Sequence, residues 1–202
     1  MENPNTRLET FCDGVFAIAL TLLIIDIKIP STREITNTAE FWLALYSITP
    51  SILAFILSFA IILITWVNHH AALRLITKSA PSFIYANGFL LLTVVFLPFP
   101  TSLLGEYVFT DHAAPAVILY DAVLALQSLS WIFIITAAIK NNLGKNEAAL
   151  KTGLQNRRFG YFAFALYSFC AVVAIWFPLA VAIFTLLTWA FWLIWGIIMN
   201  IE

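Results

Sequence analysis

Apolar residues run along this chain in six long stretches, at about 7–29, 40–70, 81–98, 114–140, 157–177 and 179–199. None alternates residue by residue, as the strands of a membrane barrel would over about 10 residues. Each stretch approaches or exceeds the roughly 20 residues that a helix needs to cross a bilayer. The pattern predicts an all-α membrane protein with six transmembrane helices, organised as one domain over residues 1–202. Prolines punctuate it. Pro30 closes the first stretch, Pro50 kinks or starts the second, Pro81 opens the third, and Pro98 and Pro100 end it. The fifth and sixth meet at Phe177-Pro178, so they are expected as antiparallel neighbours. The longest polar stretch, 140–158, reads as a loop that opens on Asn141-Asn142-Leu143-Gly144-Lys145, a helix end and turn.

The first stretch differs from the others. Its uncharged run lies between Asp13 and Asp26, too short for an ordinary lipid-facing span. An intramembrane carboxylate normally faces protein or water. Both features predict a central helix encased by other helices. Along it, Ile18, Leu22, Ile25 and Ile29 recur at steps of four, three and four, which places them on one face. Thr21 lies one position off that stripe. Such a stripe is either a packing surface or, around a symmetry axis, a ring of aliphatic side chains that constricts a pore.

Composition agrees with a membrane protein. Hydrophobic residues make up 62%, charged residues 10%, and the mean hydropathy is +0.94. Soluble domains carry roughly 45–50% apolar and 25% charged residues. Cys12 and Cys170 sit in apolar surroundings and read as buried thiols, not as a disulfide. No cleavable signal peptide is expected, because one basic residue precedes the first stretch and no small-residue cleavage site follows it.

Charge decides orientation. With the N-terminus inside, the inner side holds Arg7, Arg74, Lys78, Lys140, Lys145, Lys151, Arg157 and Arg158. The outer side holds only Lys28 and Arg33, beside Glu34, Glu40, Glu106 and Asp111. The excess of Lys and Arg predicts cytoplasmic termini. Arg157-Arg158 reads as a topology anchor that could also touch anionic headgroups. Trp189, Trp192 and Trp195 read as belt and packing residues.

Chemistry-bearing residues gather at the inner end. Trp66, Asn68, His69, His70 and Arg74 end the second stretch, level with Arg7 and Asp13 on the first. A buried carboxylate needs a partner, so a structural cluster of ion pairs and hydrogen bonds is expected. Adjacent histidines on a helix point in different directions, and no His-x3-His spacing occurs, so no metal site is expected. No hydrolase, metalloprotease or phosphate-loop signature is present, and Asp13 and Asp26 lie about 20 Å apart along one helix. No enzyme activity and no cofactor follow. Asp121 is expected at the outer interface, the alternative being a polar path with Gln127. The Thr-Val-Gly-Tyr-Gly potassium filter and an Arg-rich voltage sensor are both absent from the sequence.

Arg7, then Phe11-Cys12-Asp13-Gly14-Val15-Phe16-Ala17-Ile18-Ala19 and Thr21-Leu22-Leu23, resembles the signature of the lysosomal potassium channel family in its bacterial branch. That family carries Phe-Ser-Asp after an arginine on its first helix; here Cys12, a weaker donor, stands where the serine would be. The resemblance continues in Trp66 and the histidines, in Asn87, and in Leu97-Pro98-Phe99-Pro100. It covers the first half well; the last three helices match mainly in hydropathy and length.

The resemblance implies a homotetramer whose first helices line the pore. It implies narrow rings at Ile18, Leu22 and Ile25, with Thr21 beside them. It also implies a network of Arg7, Asp13, Trp66, His69 or His70, and Asn87 that holds the pore helix. Animal members carry two six-helix repeats and pair as dimers, so one repeat implies four copies. The expected protein is a weakly selective potassium-permeable cation channel of the bacterial plasma membrane. Its partners would be its own copies, monovalent cations and lipid, with no nucleic acid. The rivals are a proton-coupled transporter using Asp13 and the histidines, and a non-conducting scaffold. Against the transporter stands the lack of an inverted repeat.

Overall fold

The computed structural model describes residues 5–28, 30–31 and 35–199; the side chains of Asp26 and of 191–199, including Trp192 and Trp195, lie outside that description. Arg33, Glu34 and Ile29 also lie outside it. Helices dominate the described residues: α1 (Thr6–Leu22), α2 (Thr38–Ser47), α3 (Thr49–Arg74), α4 (Pro81–Phe96), α5 (Pro98–Tyr107), α6 (Ala113–Lys140), α7 (Glu147–Val173) and α8 (Pro178–Met199). A 3-10 turn, Leu23–Asp26, extends α1. Four stretches are long and apolar enough to cross a membrane among the described residues: Thr6–Ile25, Thr38–Arg74, Pro81–Tyr107 and Ala113–Lys140. With α7 and α8 the described residues form six rods, as the sequence pattern predicts.

Several boundaries differ from expectation for local reasons. Pro98 and Pro100 do not end the third rod. They occupy the first turn of α5, where a proline removes no helical hydrogen bond. Likewise Pro50 sits in the first turn of α3, and the break from α2 falls at Ile48. Most of 140–158 is not a loop. Asn146 caps α7 by accepting from the Ala149 N–H at 2.8 Å, so the helix begins at Glu147 and the connection shrinks to 141–146. The turn itself is as expected. Asn142 adopts φ 50, the Asn142 N–H donates to Ile139 O at 3.1 Å and the Leu143 N–H to Ala138 O at 3.0 Å, a Schellman ending of α6.

The core lies among α3, α4, α5 and α6, with Ile61, Ile62, Leu90, Val94, Leu97, Val117, Tyr120 and Leu124 all buried. Polar pairs pin α3 to α6 in one register. Ser58 meets the Tyr120 hydroxyl at 3.0 Å, Gln127 donates to Thr65 at 3.0 Å, and the His69 ring lies 6.4 Å from that of Trp131. Each pair is 62 residues apart, which is the mark of two parallel rods in fixed register. On the outer side α5 runs close to α3. A Cβ on Gly105 would come within 2.6 Å of the Ser51 Cα, so only glycine fits there.

The first helix is not encased by the rest of the chain among the described residues. It packs on α3 and α4 by one face, Cys12, Phe16 and Ala19, continued by Leu23. Leu8, Val15 and Leu20 are partly buried beside that face, and the opposite face is exposed.

Candidate functional site

The open face of α1 carries the predicted aliphatic stripe. Ile18 is 59% exposed, Leu22 40% and Ile25 70%, whereas Leu23 one position away is 2% exposed. Among the described residues, Ile18, Leu22 and Ile25 therefore take little part in the packing of the chain. Thr21 is also exposed, and its hydroxyl donates to the Ile18 carbonyl at 2.8 Å.

Behind this face, one polar contact fastens α1 to α3 near its N-terminal end, and a second joins α3 to α4. The Trp66 indole N–H on α3 donates to Asp13 Oδ1 at 2.8 Å. His69 pairs with Asn87 of α4 at 2.8 Å, and the Asn87 amide N–H donates to the Phe83 carbonyl at 2.7 Å. That second bond fixes the amide, so Oδ1 is the atom facing His69 and the imidazole Nε2–H is the donor. The Phe16 ring of α1 lies against His69 at a centroid distance of 5.5 Å, and carries the contact back to α1. His69 and Asn87 are both buried.

The structure thus brings Asp13 to Trp66 and His69 to Asn87. His70 belongs to a third pairing: its ring stacks on Trp66 at 6.1 Å, and its Nδ1 lies 3.2 Å from Glu9 Oε1, off the hydrogen-bond axis. Arg7 is exposed and makes no ion pair among the described residues. Six residues from Asp13, it stands on a different side of α1. Cys12 and Cys170 are free, buried thiols. No group of three His, Cys, Asp or Glu side chains suited to a metal ion occurs among the described residues.

Sequence reasoning missed Glu9 and Phe16. Glu9 precedes Asp13 by four residues and so shares its face, a signal that was readable. Phe16 was read only as part of a motif. Asp121 is a correction: it is not at the outer interface but fully buried, and Thr185 of α8 donates to its Oδ1 at 2.9 Å. Gln127 serves the α3–α6 register and lies apart from Asp121, so the described contacts trace no polar path between them.

Residues 7–98 match the model of the endosomal/lysosomal potassium channel TMEM175 family. A protein described as a potassium channel from Chamaesiphon minutus is 42% identical over 147 residues, which is 73% of this chain and 68% of that protein. The chain belongs to the TMEM175 family. A potassium channel from Streptomyces collinus is 39% identical over 135 residues, 64% of each chain. The crystal structure of a lysosomal potassium-selective TMEM175 homologue from Chamaesiphon minutus superposes with a TM-score of 0.69 at 34% identity, and covers 93% of this chain and 99% of the other. The likeness extends through the last three helices, where the sequence motifs are few. The chain is a multi-pass membrane protein.

Proposed function

We propose that this chain is a potassium channel, with one channel domain over 1–202 assembled as a homotetramer around α1. The observation that carries the reading is the division of labour on α1. One face is fastened through Cys12, Phe16, Ala19, Leu23 and the Asp13–Trp66 bond, while Ile18, Leu22 and Ile25 stand free on the other. Four such faces around an axis would make successive aliphatic rings. The resident setting is a bacterial plasma membrane with both termini cytoplasmic, and lipid covers the outer aromatic surface. No catalytic role is assigned to any residue.

Aliphatic rings offer a passing ion no ligand to replace lost water. They favour the cation that sheds its hydration more easily, potassium over sodium, and discriminate modestly. A narrow ring of this kind also closes by dewetting. Asp13, Trp66, His69 and Asn87 then act as positioning residues, holding the helix that forms the rings.

The test is ion flux into liposomes with potassium, sodium and protons compared, followed by bilayer recordings of Ile18→Asn. A channel passes potassium without a coupled ion. Ile18→Asn should raise conductance and flatten the preference for potassium, with smaller effects of the same sign for Leu22→Ala and Ile25→Ala. Leu23→Ala, on the packed face, should affect stability instead. Unchanged conductance and selectivity in Ile18→Asn would remove α1 from the pore. Coupled uptake would favour the transporter, and no flux the scaffold.

A further inference from the structure

α7 packs on α6 through Gly153 and Gly160, where a Cβ would come within 3.6 Å of Ile135 and 3.0 Å of Ile132. Ala149, Tyr167 and Cys170 are buried along the same helix. The opposite side carries Lys151, Arg158, Phe162 and Phe169, spaced by seven, four and seven residues, which keeps them on one face. All four are exposed, Phe162 by 61% and Phe169 by 66%. The exposed Trp176 follows in the turn that closes the helix. The face is thus basic at one end and aromatic from there to the other. No carboxylate forms an ion pair with Lys151 or Arg158 among the described residues. The nearest along the helix is Glu147, one turn beyond Lys151.

Depth singles out Arg158. From Arg158 to Trp176 the chain rises about 27 Å, close to the roughly 30 Å of a hydrocarbon core. The antiparallel α6 gives the same measure. It begins at Ala113, and Gly160 of α7 stands against Ile132, about 29 Å further along. Phe133 is the last large apolar side chain that α6 exposes, and Ile134, Ala137 and Ala138 beyond it are buried. Two helices running in opposite directions therefore put the edge of the hydrocarbon at Arg158. Lys151 lies about 10 Å further out, and its flexible stem lets the ammonium reach back to the headgroups.

We propose that Lys151, Gln155 and Arg158 form a binding site for the phosphate of an anionic membrane lipid. The Arg158 guanidinium offers phosphate oxygens a planar fork of N–H donors. Gln155 and Lys151, one and two turns away on the same exposed side, add an amide and an ammonium. The exposed Leu154 meets the glycerol backbone, and Phe162 and Phe169 lie along the acyl chains. The charges sit at the hydrocarbon edge and run into an aromatic face, which suits a lipid and not a soluble anion. α7 packs on α6 and α8, whereas α1 packs on α3 and α4, so this face is remote from the open surface of α1.

Two measurements on the full-length protein test it. The first is native mass spectrometry from detergent, with phosphatidylglycerol or phosphatidylcholine titrated in. Phosphatidylglycerol should be retained in preference, and Arg158→Gln and Lys151→Gln should each weaken its retention about fivefold. Lys145→Gln, which removes a charge from the same end but precedes α7, should leave it unchanged. Equal losses in all three variants mean a diffuse surface attraction and overturn the site. Equal retention of the two lipids overturns an anionic occupant. Displacement of phosphatidylglycerol by inorganic phosphate at equal concentration assigns the site to a soluble anion and overturns the lipid.

The second reads the unaltered chain in vesicles of phosphatidylglycerol and phosphatidylcholine, by carbon–phosphorus dephasing in solid-state NMR. The guanidinium carbons are 13C-labelled, and Arg158→Lys, which keeps the charge, assigns the signal. The Arg158 carbon should show a short contact to lipid phosphorus, and the contact should weaken in vesicles of phosphatidylcholine alone. An Arg158 signal without dephasing in the mixed vesicles overturns the proposal. Contacts at Phe162 between differently labelled chains, in place of the lipid contact, assign the face to a second copy and overturn it as well. Neither measurement depends on ion flux, so the channel reading and the lipid site stand or fall separately.

Discussion

Asp13 shows how far single residues could be read. A carboxylate on an apolar helix had to have a partner, and the end of the second stretch was the right place to look. The partner is nevertheless an indole N–H, not a guanidinium. Arg7 and Asp13 are close in sequence, but six residues along a helix place them on different sides. Trp66 and Asp13 meet only because α1 and α3 pack together, a fact of tertiary structure. Trp66→Phe isolates this bond, since it keeps a ring against His70 and removes only the donor. It should destabilise the protein by about 1–3 kcal/mol, the usual penalty for stranding a buried acceptor, toward the low end because Asp13 is half-buried. Thermal unfolding of the detergent-solubilised protein is the measurement. Asp13→Asn, which still accepts from the indole, should retain more stability than Asp13→Ala. Equal melting of Trp66→Phe and the parent would mean that the bond contributes nothing to holding α1.

At the scale of elements, the existence of all six rods was legible from hydrophobic runs, and their ends were legible only where local chemistry was unambiguous. Asn141-Asn142 announced the end of α6 because asparagine tolerates the left-handed conformation that a Schellman ending requires. The start of α7 was hidden, since five of its first ten residues are polar and Arg157-Arg158 follow, which resembles a loop more than a membrane helix. The Asn146 cap and the helix-forming Glu147-Ala148-Ala149-Leu150 outweigh that appearance. The α6–α7 turn therefore offers a clean experiment. Asn142→Gly should be neutral or mildly stabilising, because glycine adopts φ 50 freely. Asn142→Val should cost about 1–2 kcal/mol, the penalty for a β-carbon in that conformation. Denaturant or thermal midpoints of the two variants compare them directly. Equal midpoints would show that the turn relaxes to another conformation.

The molecule as a whole supplies what no single helix could, namely which charges lie at one end. Backbone bonds tie the α3–α4 and α6–α7 connections together, with the Thr77 N–H donating to Leu143 O at 3.0 Å and the Lys145 N–H to Leu75 O at 2.8 Å. Asn5, at the head of α1, donates to the Lys78 carbonyl at 3.2 Å. Arg7, Arg74, Lys78, Lys140 and Lys145 thus share one end of the bundle. At the other end, the exposed Lys28 and Glu106 lie 3.9 Å apart. This grouping is the one the charge asymmetry requires, and it turns the orientation into a prediction about two sites on one helix. Lys145 follows α6 and Asp111 precedes it, and both are exposed. The 28 residues of α6 between them span about 42 Å, more than the hydrocarbon core of a bilayer. In intact cells, Lys145→Cys should resist an impermeant thiol reagent added outside and Asp111→Cys should react with it. The native thiols give little background, since Cys12 and Cys170 are buried. The positive-inside rule supplies the sign, because eight of the ten Lys and Arg residues fall on the Lys145 side. Labelling of Lys145→Cys with protection of Asp111→Cys would invert the orientation, and would place the Asp13–Trp66 clamp at the outer mouth of the pore instead of the inner one.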